Sequence, residues 1–262
     1  MTKSKSPAPA VPAATILLVR DGSSGLEVFM VERHHRIDFA EGALVFPGGK
    51  VDPADTDPEL RRRCRGVEGL DEDAITLRAA GIRETFEECG VLLARRRGAS
   101  ALVGADDLLR LEARYRASLQ ADETSIAQVA EQEDLELACD LLVPFAHWIT
   151  PEFMPKRFDT HFFLVSAPKD QAAAHDGSES VDSLWTTPEA ALEAAEAGRR
   201  TIIFPTLLNL KKLGRSSRTD EALARARREP VVTVLPRPER GPDGSFVHIP
   251  AEAGYGITRT RV

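Results

Sequence analysis

The stretch Asp71 to Gly90, DEDAITLRAAGIRETFEECG, constrains this chain more than any other. Both of its ends are marked. Asp71 suits an N-cap, Glu72 and Asp73 suit the positive end of a helix dipole, and Gly90 suits the left-handed residue beyond a last turn. A helix over 72–89 is therefore predicted. At about 100° per residue, Ile75, Ala79, Ile82, Phe86 and Cys89 form one apolar stripe, which reads as the core face. Glu84, Glu87 and Glu88 fall on the other side, within roughly 100° of one another, so their carboxylates can converge.

The last turn is a poor place for that charge. Glu84 repels Glu87 and Glu88 at i,i+3 and i,i+4, each by about 0.2–0.5 kcal/mol. The negative end of the dipole adds about 0.3–1 kcal/mol for the nearest groups. Arg83 offsets part of this through its i,i+4 pair with Glu87. A divalent cation would reverse the sign of the arrangement, and Mg2+ takes such oxygen ligands while retaining waters and substrate phosphates. The competing reading is a solvated acidic face.

Around this helix the chain alternates strands and helices. ATILLVRD (14–21) and LEVFMVERH (26–34) flank GSSG as a hairpin. ALVF (43–46) is a short strand running into PGGK, and residues 51–70 are irregular with one helical turn around PELRRRCR. Residues 105–138 read as helical. LLVPFAHWIT (141–150), FDTHFFLVSA (158–167) and VDSLWTT (181–187) read as strands. TPEAALEAAEAG (187–198) is a helix between Thr187 and Gly198, and FPTLLNLKKLG supplies the last helix, followed by VVTVLP and SFVHIP as late strands. The expected class is α/β or α+β.

Composition narrows the function. A net charge of −7 and a pI near 5.5 argue against nucleic-acid or membrane-surface binding through a basic face. The cysteines are Cys64, Cys89 and Cys139, an odd number without a CxxC pair, which fits a reduced intracellular protein. No run approaches the roughly 18 apolar residues of a membrane span. MTKSKSPAPAVPAA reads as a Pro/Ala-rich tail and not a secretory signal, and the terminal TRV is not a peroxisomal address. The expected location is cytoplasmic.

A second feature accompanies the acids. In FPGGK, Gly48 and Gly49 can take positive φ and bring backbone N–H groups close to an anion, with Lys50 adding a charge; the plain alternative is a turn. RETFEECGV, Arg83 to Val91, resembles the second half of the Nudix box, departing only at Thr85, where an apolar residue is usual. FPGGK resembles the glycine loop that opens the box. An insert separates Gly49 from Arg83 more widely than the box does. Gly69 stands at the usual spacing, but its surroundings do not resemble the loop. The first glutamate of the box would fall at Ile75, leaving Asp52, Asp71, Glu72 or Asp73 as substitute acids or the supporting ion pair absent. FPGG, the insert, AAGIRETFEECGVLLARR and the later PFAHWITPEFMPKRFDTHFFLV together resemble the branch containing peroxisomal coenzyme A diphosphatases and their bacterial relatives. EGALVFPGG partly resembles the coenzyme A signature of that branch, through Gly42, Phe46, Pro47, Gly48 and Gly49, but Asp38 stands where that signature has arginine.

The resemblance implies a Nudix α/β/α sandwich with a mixed sheet and helical insertions. It divides the chain into a tail at 1–12, a Nudix hydrolase domain at 13–214 with insertions at about 50–71 and 100–139, and an extension at 215–262 that packs on the domain or on a partner chain. It implies metal-dependent hydrolysis of a diphosphate linkage, an acid anhydride, most of all in coenzyme A or acyl-coenzyme A, giving 3′,5′-ADP and phosphopantetheine or its acyl form. ADP-ribose, NADH and dinucleotides are alternative substrates, and an inactive Nudix-fold ligand-binding or regulatory protein is the alternative of another class. Glu84, Glu87 and Glu88 would hold Mg2+, with Mn2+ as substitute, and Glu179 is the further catalytic acid, with Asp182 as its neighbour and stand-in. Arg83 and Gly90 would support the site. Arg33 and Arg36, with His34 and His35, could meet a terminal phosphate or form a basic turn; Gly48, Gly49, Lys50 and Arg157 complete the expected substrate contacts. Arg157 and Asp159 could equally pair with each other, and Trp148 and Trp185 could stack on a base or lie in the core. A small-molecule partner and a monomer or homodimer are expected.

Overall fold

Val11–Gly22 (β1) and Gly25–Arg33 (β2) form an antiparallel hairpin at the middle of the sheet. The computed structural model describes residues 7–33, 42–171, 173, 180–242 and 244–261, and of Arg33, Ser180 and Val181 the backbone alone. Next come Leu44–Val45 (β3), Gly48–Lys50 (β4), a 3-10 turn at Pro53–Thr56, Pro58–Arg62 (α1) and Glu72–Cys89 (α2). Ala94–Arg96 (β5), Ala105–Leu111 (α3), a π-helical turn at Glu112–Arg116, Ala117–Gln120 (α4), Ile126–Gln132 (α5) and Leu135–Leu137 (β6) form a helical insertion. Val143–Ile149 (β7), Phe158–Ser166 (β8), Ser180–Thr186 (β9), Pro188–Glu196 (α6) and Phe204–Leu213 (α7) return to the sheet. Thr219–Arg228 (α8), Thr233–Val234 (β10), Arg237–Gly241 (β11), Gly244–His248 (β12) and Arg259–Arg261 (β13) close the chain.

The main sheet has eight strands. Six run in the order β10-β7-β8-β1-β2-β3, with β4 added on β1 and β9 on β2. It is mixed, because β1 pairs β8 and β7 pairs β10 in parallel while the other pairs are antiparallel. Alternation along β1 splits the core in two. Ala14, Ile16 and Leu18 pack with Phe163, with Ala79, Ile82 and Phe86 of α2, and with the helical insertion. Leu17 and Val19 pack on the opposite face with Met30, with Leu208 and Leu213 of α7, and with Ala222 and Ala226 of α8. The result is helix, sheet, helix in layers, an α/β fold of the expected class.

Three local expectations change. The first strand begins at Val11, inside the expected tail, and Val11 N–H donates to Arg157 O at 2.9 Å. The expected helical run to 138 ends in a strand: Leu135 and Leu137 are buried on either side of half-buried Glu136, a period of two, and pair with β5. The helix 204–213 is not the last. Its successor α8 buries only Thr219, Ala222 and Ala226 in a polar, arginine-rich sequence, so no apolar stripe announces it. Of the two packings expected for the extension, the one on the domain is seen: the segment after 214 joins the second core, and β10 extends the main sheet.

Candidate active site

Helix α2 spans 72–89 and is capped as its sequence suggests. The Asp71 side chain accepts from Ala74 N at 2.8 Å, and Gly90 takes φ 67°. Gly81 lets the helix lie close on β1, since a Cβ there would stand 2.9 Å from Ile16 Cδ1. That approach brings the acidic face of α2 against β4, which is hydrogen-bonded to β1.

The glutamates are therefore packed and not a solvated face. Glu88 is buried, and its Oε2 accepts from Gly48 N at 2.9 Å. The Glu84 and Glu87 side chains are only 13% and 14% exposed. A Cβ on Gly49 would stand 2.5 Å from Glu84 Oε1, and one on Gly48 would stand 2.3 Å from Ala14 O, with φ at 148°. Two glycines are needed here because β4 is held between the β1 backbone and the carboxylates. Gly69, by contrast, has φ 80° and open space around it, as a turn residue.

Arg83 sits among the acids. Its Nη1 lies 2.9 Å from Glu84 Oε1 and 3.1 Å from Glu87 Oε2. Nη2 donates to Lys50 O at 2.9 Å. Nε and Nη2 reach Asp55 Oδ1 and Oδ2, both at 3.0 Å, in a two-point pair. Asp55 is fully buried, and its Oδ2 also accepts from Asp52 N at 2.8 Å. This acid, from the 3-10 turn of the insert, occupies the supporting role expected of the missing box glutamate. None of the four acids considered for it serves. Asp52 caps that turn, Asp71 caps α2, Glu72 pairs with Arg61, and Asp73 is exposed. Ile75 packs against the core. A run of acids shows no burial in sequence, so Asp55 could not be singled out from its neighbours.

The C-terminal end of α2 carries a cation from elsewhere in the chain. Arg116 Nε donates to Glu87 O and its Nη2 to Glu88 O, both at 2.9 Å, and Gln120 Nε2 donates to Glu87 O at 2.8 Å. Orphan carbonyls at the negative end of the dipole are thereby satisfied. Arg116 ends the π-helical turn, a geometry associated with functional sites. The sequence offers no signal for this contact.

Burial pushes the Glu87 carboxyl up to about 7, with Arg83 opposing and Glu84 adding to the rise. Burial pulls Arg83 down, but Asp55, Glu84 and Glu87 more than offset it, so the guanidinium stays charged. The side chains offered by Glu84, Glu87 and Glu88 are all oxygen donors, the type a hard divalent cation takes.

The other expected residues are more scattered. Lys50 lends its carbonyl to Arg83 while the residue is exposed. Arg157 donates to Thr150 O at 3.0 Å and Ala8 O at 2.6 Å, tying β8 to the N-terminal segment. Asp159 pairs with His147, not with Arg157. Asp182 binds Arg200 at 3.1 Å. Trp148 is buried and donates to Tyr255 Oη at 2.8 Å, and Trp185 stands edge-on to Phe29 at 5.3 Å, so both are packing residues. His34, His35, Arg36 and Glu179 lie outside the described residues, as does the Arg33 side chain. A cavity of about 510 Å³ lies at the C-terminal segment, lined by Lys211, Lys212, Arg215, Glu229 and Tyr255, and no acid of α2 borders it. Among the described residues, the group of three potential ligands whose ligating atoms all lie within 4.8 Å of one another is His147, Asp159 and His161, not the glutamates of α2. Burial and the neighbouring His147 pull His161 down to about 4, leaving it neutral at pH 7.

The profile of the NUDT19 Nudix domain matches residues 62–213. A Caenorhabditis elegans protein named as nudix hydrolase 7 is 30% identical over 186 residues, covering 71% of this chain and 55% of that protein. The acyl-coenzyme A diphosphatase NUDT19 of Xenopus laevis is 23% identical over 232 residues, covering 74% of this chain and 61% of that protein. The chain thus spans less than two-thirds of the length of these relatives. The crystal structure of a NUDIX hydrolase from Alicyclobacillus acidocaldarius superposes with a TM-score of 0.69 at 29% identity, covering 83% of this chain and 96% of that one.

Proposed function

The chain belongs to the Nudix family, and on that premise we propose that it is a metal-dependent diphosphatase acting on coenzyme A or acyl-coenzyme A. The observation that carries this reading is the packed set of Glu84, Glu87 and Glu88, with Glu88 tied to Gly48 N–H and Arg83 paired with Glu84 and Glu87. A structural helix end would not concentrate three acids there and then hold two of them with an arginine and the third with a backbone N–H. The supporting pair formed by Asp55 argues against an inactive relative, because it supplies what Ile75 lacks.

When bound, Mg2+ or Mn2+ would neutralise the diphosphate and acidify the attacking water. The chain's own groups do the positioning. Glu84, Glu87 and Glu88 are the metal-holding groups of this reading. Gly48 N–H fixes Glu88, and Arg83 keeps Glu84 and Glu87 on one side of the helix. The resemblance to acyl-coenzyme A diphosphatases supports the substrate class. A reduced environment and a cytoplasmic location remain part of the reading; no helix of the described residues is long and apolar enough to cross a membrane.

The test is a substrate panel of coenzyme A, acyl-coenzyme A, ADP-ribose, NADH and diadenosine polyphosphates, each with Mg2+, Mn2+ or EDTA. Preferential hydrolysis of a coenzyme A compound supports the reading. Preference for another member keeps the chemistry and replaces the substrate.

A further inference from the structure

Two strands away from the glycine strand, three side chains of another kind converge. His147 on β7 stands opposite His161 on β8, with Asp159 two residues before it. Their ligating atoms all lie within 4.8 Å of one another. The two imidazoles stack with centroids 4.0 Å apart and planes 23° apart. His147 Nε2 contacts Asp159 Oδ1, and His161 Nε2 lies 3.8 Å from the same oxygen. On its other side, His147 Nδ1 lies 2.8 Å from Thr233 Oγ1 of β10.

We propose that His147, Asp159 and His161 form a binding site for a borderline first-row cation such as Zn2+, separate from the carboxylates of α2. Two imidazole nitrogens and one carboxylate oxygen suit Zn2+ or Co2+, whereas Mg2+ prefers oxygen alone. Thr233 does for His147 what partners of metal-ligating histidines do: it engages the second ring nitrogen and fixes the ring. The three ligands stand on two paired strands, so little ordering is needed on binding. Among the described residues, Asp159 forms ion pairs with these two histidines. The side chains are 16%, 36% and 35% exposed for His147, Asp159 and His161, which leaves positions open to water or an anionic oxygen.

The position is specific. His161 pairs with Ala14, and Ala14 pairs with Gly49. At about 4.8 Å per strand the His161 and Gly49 backbones are therefore about 10 Å apart. Phe163 and Ile16, two residues further along their strands, share the core beneath α2, so the cluster lies on the sheet face that carries the acids.

The test uses untagged full-length protein, stripped by chelator and titrated with Zn2+ and Co2+ in excess Mg2+. One Zn2+ per chain should bind, with affinity unchanged in Glu87→Gln and at least 10-fold weaker in His161→Gln and Asp159→Asn. X-ray absorption of the zinc-loaded unmodified protein should show imidazole ligands, a readout that does not depend on any variant folding. A zinc shell of oxygens alone, no retained Zn2+, or retention that survives both substitutions overturns the proposal. Because the hydrolysis assay with Mg2+ is separate, failure here leaves the diphosphatase reading standing.

Discussion

Asp55 and Arg83, twenty-eight positions apart, meet through two hydrogen bonds of 3.0 Å each with the carboxylate fully buried. The insert thus supplies the partner of the arginine around which the acids are arranged. Removing Asp55 leaves Arg83 paired with Glu84 and Glu87 but takes away two charge-assisted hydrogen bonds, at a cost of about 3–5 kcal/mol from roughly 1.5–3 kcal/mol each. Asp55→Ala should lose that much in urea denaturation and lower turnover as well. A loss under about 1 kcal/mol, the range of an exposed pair, would remove Asp55 from the role.

The two glycines of β4 should separate stability from activity. Gly48→Ala drives a Cβ against backbone, 2.3 Å from Ala14 O, and should cost about 1–3 kcal/mol. Gly49→Ala meets the end of a side chain, Glu84, which can yield. Its fold should survive while turnover falls, by about 100-fold if the carboxylate moves by about 1 Å. Thermal melts and kcat for the pair check this; equal effects on both would contradict it.

Arg116→Ala should leave the Glu87 and Glu88 carbonyls without their charged donor. Each such hydrogen bond contributes about 1.5–3 kcal/mol. The melting temperature should drop, and amide exchange should speed up selectively in the last turn of α2. Unchanged exchange there would mean that Gln120 alone suffices as the cap.

Glu87 gives the metal-free protein a definite pH dependence. Its folded-state pKa, about 7, lies above the ordinary glutamate value of 4.5. Between those values the folded chain binds more protons than the unfolded one, so stability falls as pH rises from about 4.5 to about 7. In EDTA, melts at pH 5 and pH 8 should show the loss, and Glu87→Gln should flatten it. Added Mg2+ should restore stability at pH 8 more than at pH 5. A slope of opposite sign, or one unchanged in Glu87→Gln, would assign the titration elsewhere.

What the sequence made legible was local. The caps Asp71 and Gly90, the stripe through Ile82 and Phe86 and the tight backbone at Gly48 are each encoded within one turn or one helix. Asp55 and Arg116 were not legible, because each acts on α2 from a distant segment and looks in sequence like any surface charge. The same holds for α8, whose buried face is two alanines and a threonine. His147 and His161 stand on separate strands, and only the β7–β8 register brings them opposite each other.

The most direct measurement is release of 3′,5′-ADP from coenzyme A with Mg2+, compared between the unmodified chain and Glu88→Gln. Glu88 is the acid tied to the Gly48 backbone, so its neutral isostere keeps the shape and removes the charge. The account predicts release that EDTA abolishes and that Glu88→Gln reduces by at least about 100-fold, roughly 2.7 kcal/mol of barrier, in a variant with unchanged circular dichroism. Metal-independent release, or full activity in folded Glu88→Gln, would contradict it.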